Sequence, residues 1–411
     1  MPIITAVSSP TTALITSTSD ASGNISYVTA NTTAMVIDTN QNTTHTGYVS
    51  APNTFGYKNR IMNGDMRIDQ RNAGASLTPV NSTSDTADRW RIQASQASKF
   101  TVQQMNGVYS SASNYEASST PTNFVYSIKA TSSGSYSPGS GEIFGYYQGI
   151  ENLNVMDLNW GTSAALPVTL SFWTKASLTG LYSGAIQQGP STRNYPFSFT
   201  INAANTWQYV TITIPGDVTG AWANQHLYVF FTLSSGATAL TTGGAWVAGS
   251  GNGYHGVTGT TNVLGTSGAT FYLTGVQLEK GTVATPFDYR DYGNELRMCQ
   301  RYYQYLGGST ASGDQYLASG MCNTSTQARF SYIFPVPMRT SPSVTFSSVS
   351  NFLVYSGAVT ATATAIVNPG VVDYRYMAIS ATVSSGLTAG YGAILLGENT
   401  TSSAIQISAE L

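Results

Sequence analysis

VTLSFWTKA (168–176) decides the fold class. Side chains on a strand alternate between faces. Val168, Leu170, Phe172 and Thr174 therefore fall on one side, with Thr169, Ser171, Trp173 and Lys175 on the other. Short alternating runs of the same kind recur on both sides of it: KFTVQQM (99–105), NFVYSIKAT (123–131), YPFSFTI (195–201), WQYVTITI (207–214), HLYVFFTL (226–233) and TFYLTGVQL (270–278). Gly, Asn and Pro punctuate the gaps. Regular short strands with such turns predict a β-sandwich. A turn of helix is expected around GIENLNVMDLNW (149–160).

The 411 residues allow two or three domains. Only 9% are charged, against a usual ~25%. Low charge with few rings would suggest disorder, but 26 Tyr and 6 Trp supply enough surface to fold the chain. Net charge is −2, and the 17 basic residues form no stripe, which argues against neutralising nucleic-acid phosphates. No run of 18 apolar residues is present, so no membrane span is expected. The opening MPIITAVSSPTTALITSTSD lacks a basic n-region, so no secretory signal peptide is expected. Cys299 and Cys322 belong to no CxxC motif, which argues against a zinc site. Two free thiols are the expectation, with a disulfide left open.

Residues 1–55 are rich in Thr, Ser and Asn and hold only two Tyr and one Phe as large rings. Such a segment buries little core alone. It is expected to be an extended arm that gains partners from another chain, a flexible tail being the alternative. Residues 56–293 form the main jelly-roll domain. NELRMCQRYYQ (294–304) is a short helical connector: Leu296, Cys299 and Tyr303 are spaced three and four apart. Glu295 near its start and Arg301 near its end suit the helix dipole. Residues 305–411 return to short strands and predict a second, smaller β-sandwich. The expectation is thus an all-β chain: arm, jelly-roll β-sandwich, small β-sandwich.

Sugar recognition needs exposed aromatic faces beside planar polar groups. Trp222, Trp246 and Tyr254 stand in Gly-rich loops, while Tyr182 and Tyr195 flank QQGPSTRNYP (187–196) with Arg193 and Asn194 beside them. These seven are the candidate carbohydrate-binding residues, with subunit packing as the competing role. Trp90, Trp160, Trp173 and Trp207 are expected to pack in the core or between strands. Glycoside cleavage usually takes two carboxylates facing one cleft, and sequence does not pair any here. Asp88 is expected to pair with a nearby Arg rather than act as an acid. His45, His226 and His255 come with no GxSxG elbow. No catalytic residue is expected, and the activity expected is binding.

NRIMNGDMRIDQRNAGASLTPV (59–80), DTADRW (85–90), GIENLNVMDLNWGTSAALPVTLSFWTKASLTGLYSGAIQ (149–187), NTWQYVTITIPGDVTGAW (205–222) and FYLTGVQLEKGTVATPFDYRDYGNELRMCQRYYQ (271–304) follow one another in order. Together they resemble modules of phage tail-fibre and prophage structural proteins, over nearly all of 59–304. The same landmarks are distantly similar to carbohydrate-binding modules with a galactose-binding-like jelly roll. The resemblance implies a virion protein, assembled in the host cytoplasm and released by lysis. It further implies attachment to a host surface glycan, docking on other virion proteins through the arm, and a homotrimer. Modules of this kind often hold a structural calcium between first and last strands, which would fall to Asp65 and Glu279 here. Their alternative is pairing with Arg67, Arg71 or Lys280. Two other functions stay open: a head fibre or capsid decoration protein without glycan specificity, and a polysaccharide depolymerase. The β-helical repeats usual in the latter are missing from the sequence.

Overall fold

The structure is a computed structural model in which the chain divides into two compact units, Met1–Gly56 and Tyr57–Leu411. In the first, the described residues are five short strands. Val7–Ser9 pairs with Thr12–Leu14, and Ile25–Thr29, Thr32–Ile37 and Thr43–His45 form an antiparallel sheet in that order. The remainder of the 1–55 segment expected to serve as a docking arm lies outside the described residues. In the second unit, residues 58–411 are described except 81, 108–120, 122, 190–191, 223–224, 250–252, 309–312 and 399–403.

Two antiparallel sheets form the larger body. The seven-stranded sheet runs Val247–Ala248, Arg193–Ile201, Gly180–Gln188, Leu227–Ser235, Ile143–Ile150, Arg91–Ala94, Ser82–Asp85. The five-stranded sheet runs Gln208–Ile214, Val168–Ala176, Thr270–Lys280, Tyr126–Ser132, Phe100–Asn106. All seven alternating runs read from the sequence lie on these strands. Val168, Leu170 and Phe172 point into the core, as their alternation requires. Phe172 meets Phe231 of the opposite sheet edge-on at 5.0 Å, and Tyr182 stacks on Phe271 at 5.6 Å. Such ring pairs across the layers favour this packing by ~0.5–1.5 kcal/mol each beyond area burial. The 149–160 stretch makes two 3₁₀ turns, Asn152–Asn154 and Met156–Leu158.

The connecting helix spans Tyr292–Gln300. Asp291 caps it, accepting from the Asn294 N–H at 3.2 Å, and Glu295 sits in its first turn. Beyond it, six strands close into a barrel: Gln315–Cys322, Gln327–Ile333, Tyr376–Val383, Val359–Val367, Phe352–Ser356, Gly392–Gly397. Tyr303–Gly307, Ala404–Ser408 and Ser343–Phe346 form a three-stranded sheet that shares the barrel's core through Ile405 and Ile407. The smaller β body thus takes a closed form with no free edge in its ring, where an open pair of sheets was expected. Cys299 and Cys322 are free and buried, and Cys322 Sγ lies 3.2 Å from Ser356 Oγ. The two bodies are joined by charge. Arg301 forks onto Glu151 with two bonds of 3.0 Å, and Glu410 accepts from Arg71 at 3.1 Å and from Arg89. The Arg89 guanidinium also lies 3.4 Å over the Tyr302 ring.

Candidate functional site

Of the seven residues expected to hold sugar, Tyr182, Asn194, Tyr195 and Trp222 are buried, while Arg193, Trp246 and Tyr254 are half-buried. Trp222 is 8% exposed, Tyr195 6%, and Tyr182 and Asn194 are fully buried. The organiser is Asp217. Its carboxylate takes both Arg193 Nε (2.8 Å) and Nη2 (2.7 Å), the Trp222 indole N–H (2.9 Å) and the Thr219 N–H (3.2 Å). Burial alone would push this carboxyl up, but Arg193 and Trp222 outweigh it and hold it below the usual range. Gly220, at φ +90°, lets the turn fold back; a Cβ there would meet Arg193 Cγ at 2.9 Å. Trp222 packs against Trp160 at 4.9 Å and Trp246 at 5.6 Å, and Trp246 meets Tyr195 at 5.4 Å while donating to the Pro215 carbonyl. Tyr182 donates to the Leu178 carbonyl from within the core. The Tyr254 carbonyl accepts from Gln187. Glycine-rich loops thus carried Trp222 and Trp246 into a cluster with Trp160 and Tyr195, where they pack on one another. A cavity of about 270 Å³ opens beside Trp160 and Trp222, rimmed by the exposed Met156.

Asp65 and Glu279 also find protein partners. Asp65 faces Arg67 at 3.2 Å, one of the alternatives read from the sequence. Glu279 is fully buried and accepts from Thr285 N (2.8 Å), Thr285 Oγ1 (2.7 Å) and Gln277 Nε2 (2.9 Å). Among the described residues, no three His, Cys, Asp or Glu side chains gather where a metal ion could sit.

Glu279's bonds have a different result. They anchor the segment after the last strand, which folds back over the outer face of the five-stranded sheet. Gln277 Oε1 adds a second anchor by accepting from Asp288 N at 2.9 Å. The segment brings Phe287 and Tyr289 onto Phe124, with ring centroids 5.2 Å and 5.7 Å from it. Phe124 in turn presses onto the backbone at Gly275, φ +60°, where a Cβ would lie 2.5 Å from the ring. Gly275 sits where the register between Val168–Ala176 and Thr270–Lys280 shifts. Across from this wall stand Trp173 and Tyr209, partners in strand register, with centroids 5.3 Å apart. Trp173 is half-buried and Tyr209 is 46% exposed.

Between them lies a cleft of about 470 Å³, within the ~300–1,000 Å³ usual for small-molecule sites. Its rings are Phe124, Trp173, Tyr209, Phe287 and Tyr289, and Asn123, Ser171 and Thr285 add polar groups. Among the described residues, no Asp, Glu, His, Lys or Arg lines it. The arrangement can stack flat apolar faces and exchange hydrogen bonds with hydroxyls. The aromatic band continues on the same face. Lys175 Nζ lies 4.0 Å from the Tyr272 ring and 5.4 Å from that of Trp207. Trp173 and Trp207, expected in the core or between strands, are on the outer face, where Trp173 packs on Tyr209 and Trp207 on Tyr272; alternation signals the face, since Trp173 follows the core residue Phe172.

The groups weighed for catalysis are held otherwise. Asp88 is fully buried and takes the Gln70 backbone N–H at 2.9 Å and the Gln70 side-chain amide, not a direct Arg partner. Burial pushes its pKa up to about 6. His255 packs edge-on against Phe230 at 4.6 Å, and burial pushes its imidazole down to about 4. Burial also lowers that of His226, helped by the Arg339 charge.

No protein-family model matches the sequence, and no curated protein matches it. Solved structures do align with part of the chain. The CBM22-2 xylan-binding domain of Paenibacillus barcinonensis Xyn10C is 15% identical, with a TM-score of 0.25 over 47% of this chain and 92% of that one. TmCBM61, solved with β-1,4-galactotriose, is 11% identical, with a TM-score of 0.24 over 47% and 88%. The enzymatically active domain of tailspike protein 4 from Bacteriophage CBA120 is 12% identical, with a TM-score of 0.27 over 54% of this chain and 21% of that one. At these scores the likenesses assign no ligand to this chain.

Proposed function

We propose that this chain is an attachment protein that holds a glycan in the Trp173–Tyr209 cleft without cutting it. The observation that carries the reading is the cleft's composition: five rings, a few neutral polar groups and, among the described residues, no lining carboxylate or imidazole. A pyranose has an apolar face that packs on a ring and an equatorial rim of hydroxyls that amides and hydroxyls read. Cleavage would need an acid and a second carboxylate or activated water at the bond, and the lining supplies neither. The particle role comes from the sequence resemblance over 59–304: a tail-fibre-like virion protein, homotrimeric, with residues 1–55 docking on other virion components.

A printed array of bacterial-surface and plant oligosaccharides tests the binding step. The intact chain should bind a restricted set of them, and Trp173→Ala should lose the signal. Equal binding by the variant would refute this site, and a blank array would refute the function.

A further inference from the structure

Behind the wall of Asn123, Phe124 and Tyr289 lies a second hollow of about 200 Å³, and these three residues line both spaces. It is below the ~300 Å³ at which a ligand site usually begins, and the three shared residues make it an annex to the cleft. Its chemistry differs from that of the cleft, because Asp65 and Arg67 line it. Arg67 Nη2 donates to the Arg290 carbonyl at 2.6 Å, and Nε lies 3.2 Å from Asp65 Oδ2. That last contact is an ion pair without hydrogen-bond alignment: Nε is buried and has no acceptor. A buried donor left unspent is costly unless something arrives to accept it. Burial pushes the Asp65 carboxyl up while Arg67 pulls it back, so a hydroxyl donor would relieve it.

We propose that cleft and annex form one two-part glycan site: Trp173 and Tyr209 carry one sugar ring, and the Asp65–Arg67 pair reads vicinal hydroxyls on the next. A carboxylate only accepts and a guanidinium only donates. Two neighbouring hydroxyls satisfy both, one donating to Asp65 and the other accepting from the Arg67 guanidinium. The ligand is then a neutral oligosaccharide of two or more units, and Asp65 repels a carboxylated or sulfated sugar. This rests on the cleft reading above.

Calorimetric titration of the intact chain separates the two. The probes are methyl glucoside, galactoside and mannoside, with the 1,4-linked di- and trisaccharides of each sugar. At least one disaccharide should bind about 10-fold or more tightly than its methyl glycoside, the scale of one charge-assisted hydrogen bond. Asp65→Asn and Arg67→Lys should each remove that gain while leaving methyl glycoside affinity unchanged. Asp65→Asn keeps the side-chain volume, so the test does not depend on one variant folding. Equal affinity for mono- and disaccharide, or variants without effect, would overturn the annex and leave the cleft standing. Preference for an acidic oligosaccharide on the array would overturn it too. No binding by any probe or array glycan would overturn both.

Discussion

Trp222 and Trp173 are tryptophans of the same sandwich with different surroundings. Trp222 gives its indole N–H to Asp217 and its faces to Trp160 and Trp246. Trp173 has Tyr209 beside it and an open cleft in front. The first cluster is held by a buried carboxylate that accepts from Arg193, Thr219 and Trp222. The second is propped open by a folded-back segment whose anchors, Glu279 and Gln277, lie out of the cleft's way. The lesson is that ring content does not mark a binding surface; what the polar atoms around the rings are committed to does.

The contrast can be broken most forcefully at Trp222. Trp222→Ala should cost ~3–5 kcal/mol of stability, the scale of deleting a large core ring, and it also strips a donor from Asp217. Urea unfolding would measure it, and glycan affinity of the folded fraction should be unchanged. A stability loss within ~0.5 kcal/mol, the range of ordinary surface changes, would place Trp222 outside the core. Trp173→Ala should do the reverse. Affinity should fall by ~1–3 kcal/mol, roughly 5- to 150-fold, with the melting temperature nearly constant. A large melting shift with affinity intact would make Trp173 structural.

The smallest expected effect is acidic. Asp217 has a folded-state pKa below its unfolded one, so its contribution to stability is present above the unfolded value, about 4. It is lost as pH falls through the lower folded value. Asp217→Asn should therefore be less stable at neutral pH and flatter below about pH 4. Parallel acid limbs in the two proteins would contradict the assignment. Asp88 should behave oppositely: its raised pKa favours the folded state at low pH, an advantage that fades as pH rises through about 6.

Much of this molecule is legible in its sequence. The period-two runs mark the strands, and Leu296 and Cys299 mark the helix, because both signals are local; Tyr303, read as a third helical position, opens the strand Tyr303–Gly307 instead. The cleft was half legible. Alternation in VTLSFWTKA sets Trp173 opposite Phe172, but whether that outer face is covered depends on where 281–291 returns. That return depends on Glu279 and Gln277 bonding to Thr285 and Asp288, side-chain contacts that strand periodicity does not encode. The Gly-rich loops around Trp222 and Trp246 misled for a related reason. Glycine permits an outward turn and an inward one alike, and the choice was made by the acceptors of the indole N–H groups, Asp217 for Trp222 and the Pro215 carbonyl for Trp246. Barrel closure at 315–397 was illegible because each strand reads the same in an open sheet as in a closed one.

The central claim is that the open cleft, not the closed cluster, takes the glycan. A crystal structure of the chain soaked with an array-positive oligosaccharide tests it most directly. The account predicts a sugar ring stacked on Trp173 and Tyr209, with the chain running towards Asp65 and Arg67. Sugar seated against Trp160 and Trp222 instead, with the Trp173 cleft empty, would contradict it.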